Sequence, residues 1–123
     1  HVSPLVPKAA TPFQWIPMAD MGELKDKITR LRTAFRKIDN TVFTHDSVKF
    51  SFMQAVLSRG DRRGSDIIVR LAHGENLNRI VRESSLNLNF YALRERSPDE
   101  IFPWDFILGP VSKERLLNRL EIC

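Results

Sequence analysis

Apolar residues recur every three or four positions between residues 24 and 38, and this run constrains the fold more than any other feature. The spacing places them on one face of an amphipathic helix. Asp20 is suited to cap the first turn, and Glu23 follows three residues later as in a capping box. Asp39 and Asn40 favour a turn at the other end. The apolar positions are Leu24, Ile28, Leu31, Phe35 and Ile38.

The segments on either side of this helix predict short strands. Residues 2–6 can form a strand, but four of the seven prolines lie within residues 1–19, so an irregular loop must follow. Residues 41–44 (Thr-Val-Phe-Thr) form a β-branched and aromatic run directly after the helix. A strand, helix, strand order is typical of a βαβ unit with parallel strands.

Helices dominate the predictions for the rest of the chain. Apolar spacing indicates one helix ending near Gly60 and another between Ser65 and Gly74. Residues 77–93 are weakly helical, and residues 97–110 form a loop rich in proline and glycine. Ser112 is suited to cap a final helix.

Composition and charge indicate a folded cytoplasmic protein. Hydrophobic residues make up 42% of the chain and charged residues 28%, which is the ordinary range for globular proteins. No apolar run is long enough to span a membrane, and we see no leader peptide, so we expect no membrane role. The single cysteine, Cys123, cannot form an internal disulfide or hold a metal cluster by itself. Because the chain opens with His1, we interpret it as a piece of a longer protein.

Sequence motifs for self-sufficient catalysis are missing. His1, His45 and His73 lie far apart and none belongs to a His-Glu-x-x-His motif, so we predict no metal site and no catalytic residue. The chain also contains no Gly-x-Gly-x-x-Gly sequence and no Walker loop.

Residues 59–64 (Arg-Gly-Asp-Arg-Arg-Gly) are a candidate anion site. The guanidinium groups of Arg59, Arg62 and Arg63 can form bidentate bonds with phosphate or carboxylate. The alternative is a plain turn between helices, in which Gly60 ends the first helix and Asp61 pairs with a neighbouring arginine. Trp104, in the later loop, either packs against the domain or stacks on a ligand.

The string Val-Ser-Pro-Leu-Val-Pro-Lys-Ala-Ala-Thr-Pro-Phe-Gln-Trp at residues 2–15 resembles a segment of one enzyme group. It is similar to the last barrel strand and following loop of radical S-adenosylmethionine (radical SAM) iron-sulfur oxidoreductases, many of which carry an N-terminal cobalamin-binding-like domain. Leu5 stands where Phe is usual, and Ala9 where Pro is usual. Weaker similarity extends to residues 57–63, 90–96, 103–105 and 111–114.

This resemblance implies an α/β fragment. Residues 1–46 would be the last strand and helix of a partial (β/α) barrel, and residues 47–123 a mostly α-helical C-terminal subdomain. In the family, a Cys-x-x-x-Cys-x-x-Cys loop holds a [4Fe-4S] cluster that reduces S-adenosylmethionine to a radical. That loop is absent here, so the resemblance implies a fragment that is inactive alone and holds no cofactor. The cluster, S-adenosylmethionine and any cobalamin would belong to the upstream part of the same polypeptide.

The resemblance also implies roles for residues of the string. Ser3, Pro4 and Lys8 would lie at the carboxyl end of a barrel strand, where barrel enzymes place their active sites. Gln14 and Trp15 would lie on the loop over the barrel mouth. We expect Lys8 to contact a carboxylate or phosphate and Trp15 to cover the cavity.

Two alternatives stay open at this point. Phe13 and Trp15 can instead anchor the loop by packing against the first helix. The chain as a whole can instead be a basic RNA-binding or protein-interaction module, since its net charge is +4. In that module, phosphates would contact the turn at residues 59–63 and the basic residues of the first helix, which are Lys25, Lys27, Arg30, Arg32, Arg36 and Lys37. On the radical SAM interpretation we expect no nucleic-acid partner.

Overall fold

Helices are the regular structure in the computed structural model, which describes residues 1–107 and 109–122. Two single 3₁₀ turns, Pro12–Gln14 and Arg62–Gly64, accompany them. No helix in the described part of the chain is both long enough and apolar enough to cross a lipid bilayer. The helices are α1 (Met21–Phe35), α2 (Val48–Arg59), α3 (Ser65–Ala72), α4 (Leu77–Glu83), α5 (Leu88–Ala92) and α6 (Lys113–Ile122).

The prediction of an α/β fragment with the end of a partial (β/α) barrel is wrong. Residues 1–107 and 109–122 form a small all-α domain without a strand. The two predicted strands amount to one parallel bridge between Val2 and His45. Val2 donates its amide to the Thr44 carbonyl at 3.0 Å and accepts from the Asp46 amide at 3.1 Å.

Proline explains why the bridge does not extend into a strand pair. Pro4 and Pro7 have no amide hydrogen, so the first segment can donate only at isolated positions. The second segment is short and largely exposed at residues 41–44. Two short segments without a third strand beside them are marginal in water.

The predicted amphipathic helix is confirmed, with α1 beginning where the Asp20 carboxylate accepts from the amide of Gly22 at 2.7 Å. Its apolar face is buried only in its first half. Ile28 is 7% exposed, whereas Phe35 is 36% exposed and Ile38, beyond the end of the helix, is 52% exposed. Asn40 then adopts a left-handed backbone conformation with φ of 59°, which completes the predicted turn.

The main core lies between α2 and α5, with α3 and α4 packed around it. Its centre is formed by buried residues such as Phe52, Val56 and Ala92. Met18 is part of the same core, and Leu24 of α1 packs against it. Residues on both sides of position 46 therefore share one hydrophobic core.

A second, smaller core joins the start of the chain to its end. Trp15 is 2% exposed and packs with Phe102 and Leu116, which is on α6. The Trp15 and Phe102 ring centroids lie 6.0 Å apart. The helices predicted after residue 47 are confirmed, and the hydroxyl of Ser112 accepts from the amide of Arg115 at 3.3 Å at the start of α6.

Candidate functional site

Three of the residues singled out by the resemblance lie together on the surface. Ser3, Pro4 and Lys8 line a shallow depression of about 440 Å³. The Ser3 hydroxyl donates to the Asp46 carboxylate at 2.6 Å, and a ring nitrogen of His1 lies 3.0 Å from the same carboxylate. The depression therefore has one exposed lysine and one carboxylate that already has two partners.

Gln14 and Trp15 lie elsewhere, inside the protein. Each is 2% exposed. The Gln14 side-chain oxygen accepts from the amide of Ala10 at 3.0 Å and from the indole nitrogen of Trp104 at 2.9 Å. Trp15 packs against the C-terminal core and not against α1. Both side chains fix the loop at residues 10–15 and are inaccessible to a ligand.

Arg59 is fully buried, so it cannot bind an anion from solution as the sequence suggested. Its guanidinium donates to three backbone carbonyl oxygens, those of Ile16 at 2.8 Å, Ala92 at 3.2 Å and Arg94 at 2.8 Å. These bonds tie the last turn of α2 to the N-terminal segment and to the end of α5. Arg59 is therefore a structural residue that holds three chain segments together.

Arg96, which is 4% exposed, completes this arrangement. Its guanidinium donates to the Arg59 carbonyl oxygen at 2.7 Å, and its amide donates to the Trp15 carbonyl oxygen at 2.8 Å. We call Arg59 and Arg96 the arginine clamp. Its nearest carboxylate, Glu100, lies 3.6 Å from Arg96 but accepts both of its hydrogen bonds from Arg94, at 2.8 and 2.6 Å.

Positive charge exceeds negative charge around the clamp. Burial, with the charges of Arg96 and Arg94, lowers the pKa of Arg59 to about 10. The Nε atoms of Arg59, Arg94 and Arg96 are buried, and none finds an acceptor within the described residues. Three guanidiniums thus share the single carboxylate of Glu100, which leaves an excess of positive charge beneath the surface.

The segment at residues 60–64 is a turn between α2 and α3, as the alternative interpretation predicted. Gly60 ends α2, and a Cβ atom there would lie 2.8 Å from the Val56 carbonyl oxygen. The Asp61 carboxylate accepts from the Arg63 guanidinium at 2.6 Å and from the Tyr91 hydroxyl at 3.1 Å. The Arg63 guanidinium, with its amide and the Tyr91 hydroxyl, holds the pKa of Asp61 well below its usual range.

Arg62 differs from the buried Arg59 because it is exposed. It differs from Arg63, which pairs with Asp61, because it has no ion pair or side-chain hydrogen bond among residues 1–107 and 109–122. It lines a groove of about 810 Å³ between the turn and the later loop. We call this the Arg62 groove. Its opposite wall consists of Pro103, Trp104, Phe106 and Ile107.

The loop wall combines one fixed ring with freely exposed apolar side chains. Trp104 stacks on Phe102 with ring centroids 4.9 Å apart, and its indole nitrogen is held by Gln14. Phe106 is 83% exposed and Ile107 is 64% exposed. Trp104 therefore packs against the domain, as one sequence interpretation had it, and also borders the groove.

Sequence reasoning missed Arg96, Glu100, Phe106 and Ile107. The signal for the first pair was a cluster of three acidic and two basic residues within residues 94–100. The signal for the second pair was two large adjacent apolar residues within the loop predicted at residues 97–110. Neither signal indicates which distant segment these residues meet.

The residues that the structure describes contain no group of three His, Cys, Asp or Glu side chains placed to hold a metal ion. Cys123 lies outside the described residues. Comparisons of the chain with models of protein families, with curated proteins and with solved structures found no match.

Proposed function

We propose that this chain is the C-terminal part of a radical SAM iron-sulfur oxidoreductase, in which it contributes a substrate-side cap. The observation that carries the proposal is the similarity of residues 2–15 to the family's segment. The proposal concerns this role and not a barrel fold, since the described residues are all-α.

The attachment of the helices to the N-terminal segment supports the role of a cap. The Met18 amide donates to the Ala92 carbonyl oxygen at 2.9 Å, and Arg59 binds the Ile16 carbonyl oxygen at 2.8 Å. Residues 16–18, which follow the segment that carries Ser3 and Lys8, are thereby fixed to α2 and α5. On this proposal, the exposed Lys8 ammonium contacts a carboxylate or phosphate of the substrate.

The residues of this chain do not fit the family's iron-sulfur cluster. The cluster requires three cysteine thiolates, and the sequence contains a single cysteine at position 123. The proposal therefore assigns the [4Fe-4S] cluster, S-adenosylmethionine and any cobalamin to the upstream part of the same polypeptide, and no step of the chemistry to this chain.

The test uses the longer polypeptide encoded by the parent open reading frame, reconstituted anaerobically with iron and sulfide. With dithionite supplied as the electron donor, we expect reductive cleavage of S-adenosylmethionine to methionine and a 5′-deoxyadenosyl radical, which gains a hydrogen atom to become 5′-deoxyadenosine. Lys8→Ala should keep the iron content but lower substrate turnover, whereas Lys25→Ala, on the exposed side of α1, should change neither. A parent without a cysteine triad and without cleavage would overturn the proposal, and normal turnover by Lys8→Ala would overturn only the role of Lys8.

A further inference from the structure

The two walls of the Arg62 groove have complementary chemistry. One wall presents the Arg62 guanidinium, which has no acceptor in the described part of the chain. The other presents Phe106 and Ile107, which are 83% and 64% exposed. Large apolar side chains side by side on a surface often mark a binding site. A ligand that satisfies both walls needs both an anionic group and a flat apolar part.

The arginine clamp adds positive potential beneath the same groove. The guanidinium carbon of Arg96 lies 5.3 Å from the centre of the Trp104 ring, which borders the groove. Arg59 directly precedes Gly60 on the opposite border. Asp61 also lines the groove, but its carboxylate is paired with Arg63 at 2.6 Å. The acidic residue that lines the groove is thus already paired, and the remaining field attracts anions.

The exposure of the walls distinguishes between kinds of anionic ligand. Sites for small molecules usually bury 70–90% of the ligand's surface, which requires walls that close around it. The Arg62 groove has an outward-facing phenylalanine instead. Proteins that bind single-stranded nucleic acids use open basic grooves in which bases stack on exposed aromatic rings.

We propose that the Arg62 groove binds single-stranded nucleic acid, with Arg62 contacting a backbone phosphate and Phe106 stacking on a base. The net charge of +4 supplies the long-range attraction that such binding uses. Phosphate contacts and stacking do not discriminate between ribose and deoxyribose, so the groove accepts single-stranded RNA and DNA alike. This inference goes beyond the proposed function and replaces the expectation, implied by the radical SAM resemblance, that the chain has no nucleic-acid partner.

The first test measures fluorescence anisotropy of labelled single-stranded RNA and DNA oligonucleotides against the 123-residue chain over a range of salt concentrations. Arg62→Glu should weaken binding roughly 10-fold or more and reduce the slope of log affinity against log salt by about one. Arg30→Glu makes the same charge change on the exposed side of α1 and should weaken binding much less. Equal losses in the two variants would overturn the assignment to the groove.

The second test concerns stacking. Phe106→Ala should weaken binding by roughly 5- to 100-fold, the range of a lost base–aromatic stack. Ile101→Ala is the matched control, because Ile101 is 86% exposed in the same loop but does not line the groove. Circular dichroism should show both variants folded. The proposal is overturned if the unmodified chain does not bind at low salt, if a duplex binds as well as a single strand, or if an acidic peptide competes equally.

Discussion

The guanidinium of Arg96 donates a 2.7 Å hydrogen bond to the backbone carbonyl oxygen of Arg59, so two buried arginines lie side by side between α2 and the segment after α5. Like charges in a poorly hydrated interior repel each other, and the shared Glu100 compensates only part of that repulsion. The three carbonyl oxygens that Arg59 binds also stabilise its charge. The clamp stabilises the contact between the N-terminal segment and helices α2 and α5.

Arg59→Lys should destabilise the protein strongly. A lysine ammonium is compact, so it cannot reach the three carbonyl oxygens that the planar guanidinium binds at 2.8, 3.2 and 2.8 Å. We expect a loss of about 2–4 kcal/mol in the free energy of unfolding, because buried acceptors are left unsatisfied. Urea denaturation measures this loss. Arg30→Lys, at an exposed position on α1, should change the value by less than about 0.5 kcal/mol.

Two isoleucines of the α1 pattern should respond very differently to truncation. Ile28→Ala removes a side chain that is 7% exposed and should cost about 2–4 kcal/mol. Ile38→Ala removes one that is 52% exposed and should cost less than about 1 kcal/mol. Thermal or urea unfolding of both variants provides the comparison. Equal losses would mean that the second half of the apolar face is buried.

Gly60→Ala should destabilise the turn that forms one wall of the Arg62 groove. Its φ of −78° suits any residue, so the cost comes from the new Cβ atom, which would lie 2.8 Å from the Val56 carbonyl oxygen. We expect a loss of about 1–3 kcal/mol in chemical denaturation. Gly109→Ala is the control, since its nearest contact would be at an ordinary 4.0 Å. A Gly60→Ala variant as stable as the parent would show that the end of α2 can shift freely.

Asp61 should contribute to the loss of stability in acid. Its hydrogen bonds from Arg63 and Tyr91 lower its pKa in the folded state below the unfolded value of about 4. The resulting stabilisation is fully present above pH about 4 and is lost as the pH falls further. Asp61→Asn should therefore lower stability at neutral pH by about 1–2 kcal/mol and flatten the acid dependence. Asp26→Asn, an exposed position on α1, should leave the pH profile unchanged in the same denaturation series.

Local patterns in the sequence predicted the helices well. Asp20 and Ser112 cap the helices that their spacing indicated, and Gly60 ends α2. These features depend on neighbours along the chain, so they can be read without tertiary information. The apolar run at residues 24–38 predicted α1 but not that Phe35 and Ile38 would stay exposed, because burial depends on what packs against the helix.

Tertiary contacts decided the features that the sequence did not predict. Residues 2–6 have strand-like composition but lack enough donors and partners, so the propensity of Val2 and Val6 produced only a bridge. The sequence predicts Arg59 as a candidate anion ligand because a guanidinium group can form bidentate bonds with phosphate or carboxylate, and this chemistry does not indicate whether the side chain is buried. Its three carbonyl partners lie 33 to 43 residues away in sequence, and no local pattern indicates them.

Electron paramagnetic resonance of the anaerobically reconstituted full-length polypeptide tests the proposed radical SAM function most directly. Our account predicts a reduced [4Fe-4S] signal that changes on addition of S-adenosylmethionine, together with no such signal from the 123-residue chain treated in the same way. A full-length protein that lacks the cluster signal, or whose signal does not respond to S-adenosylmethionine, would contradict the account.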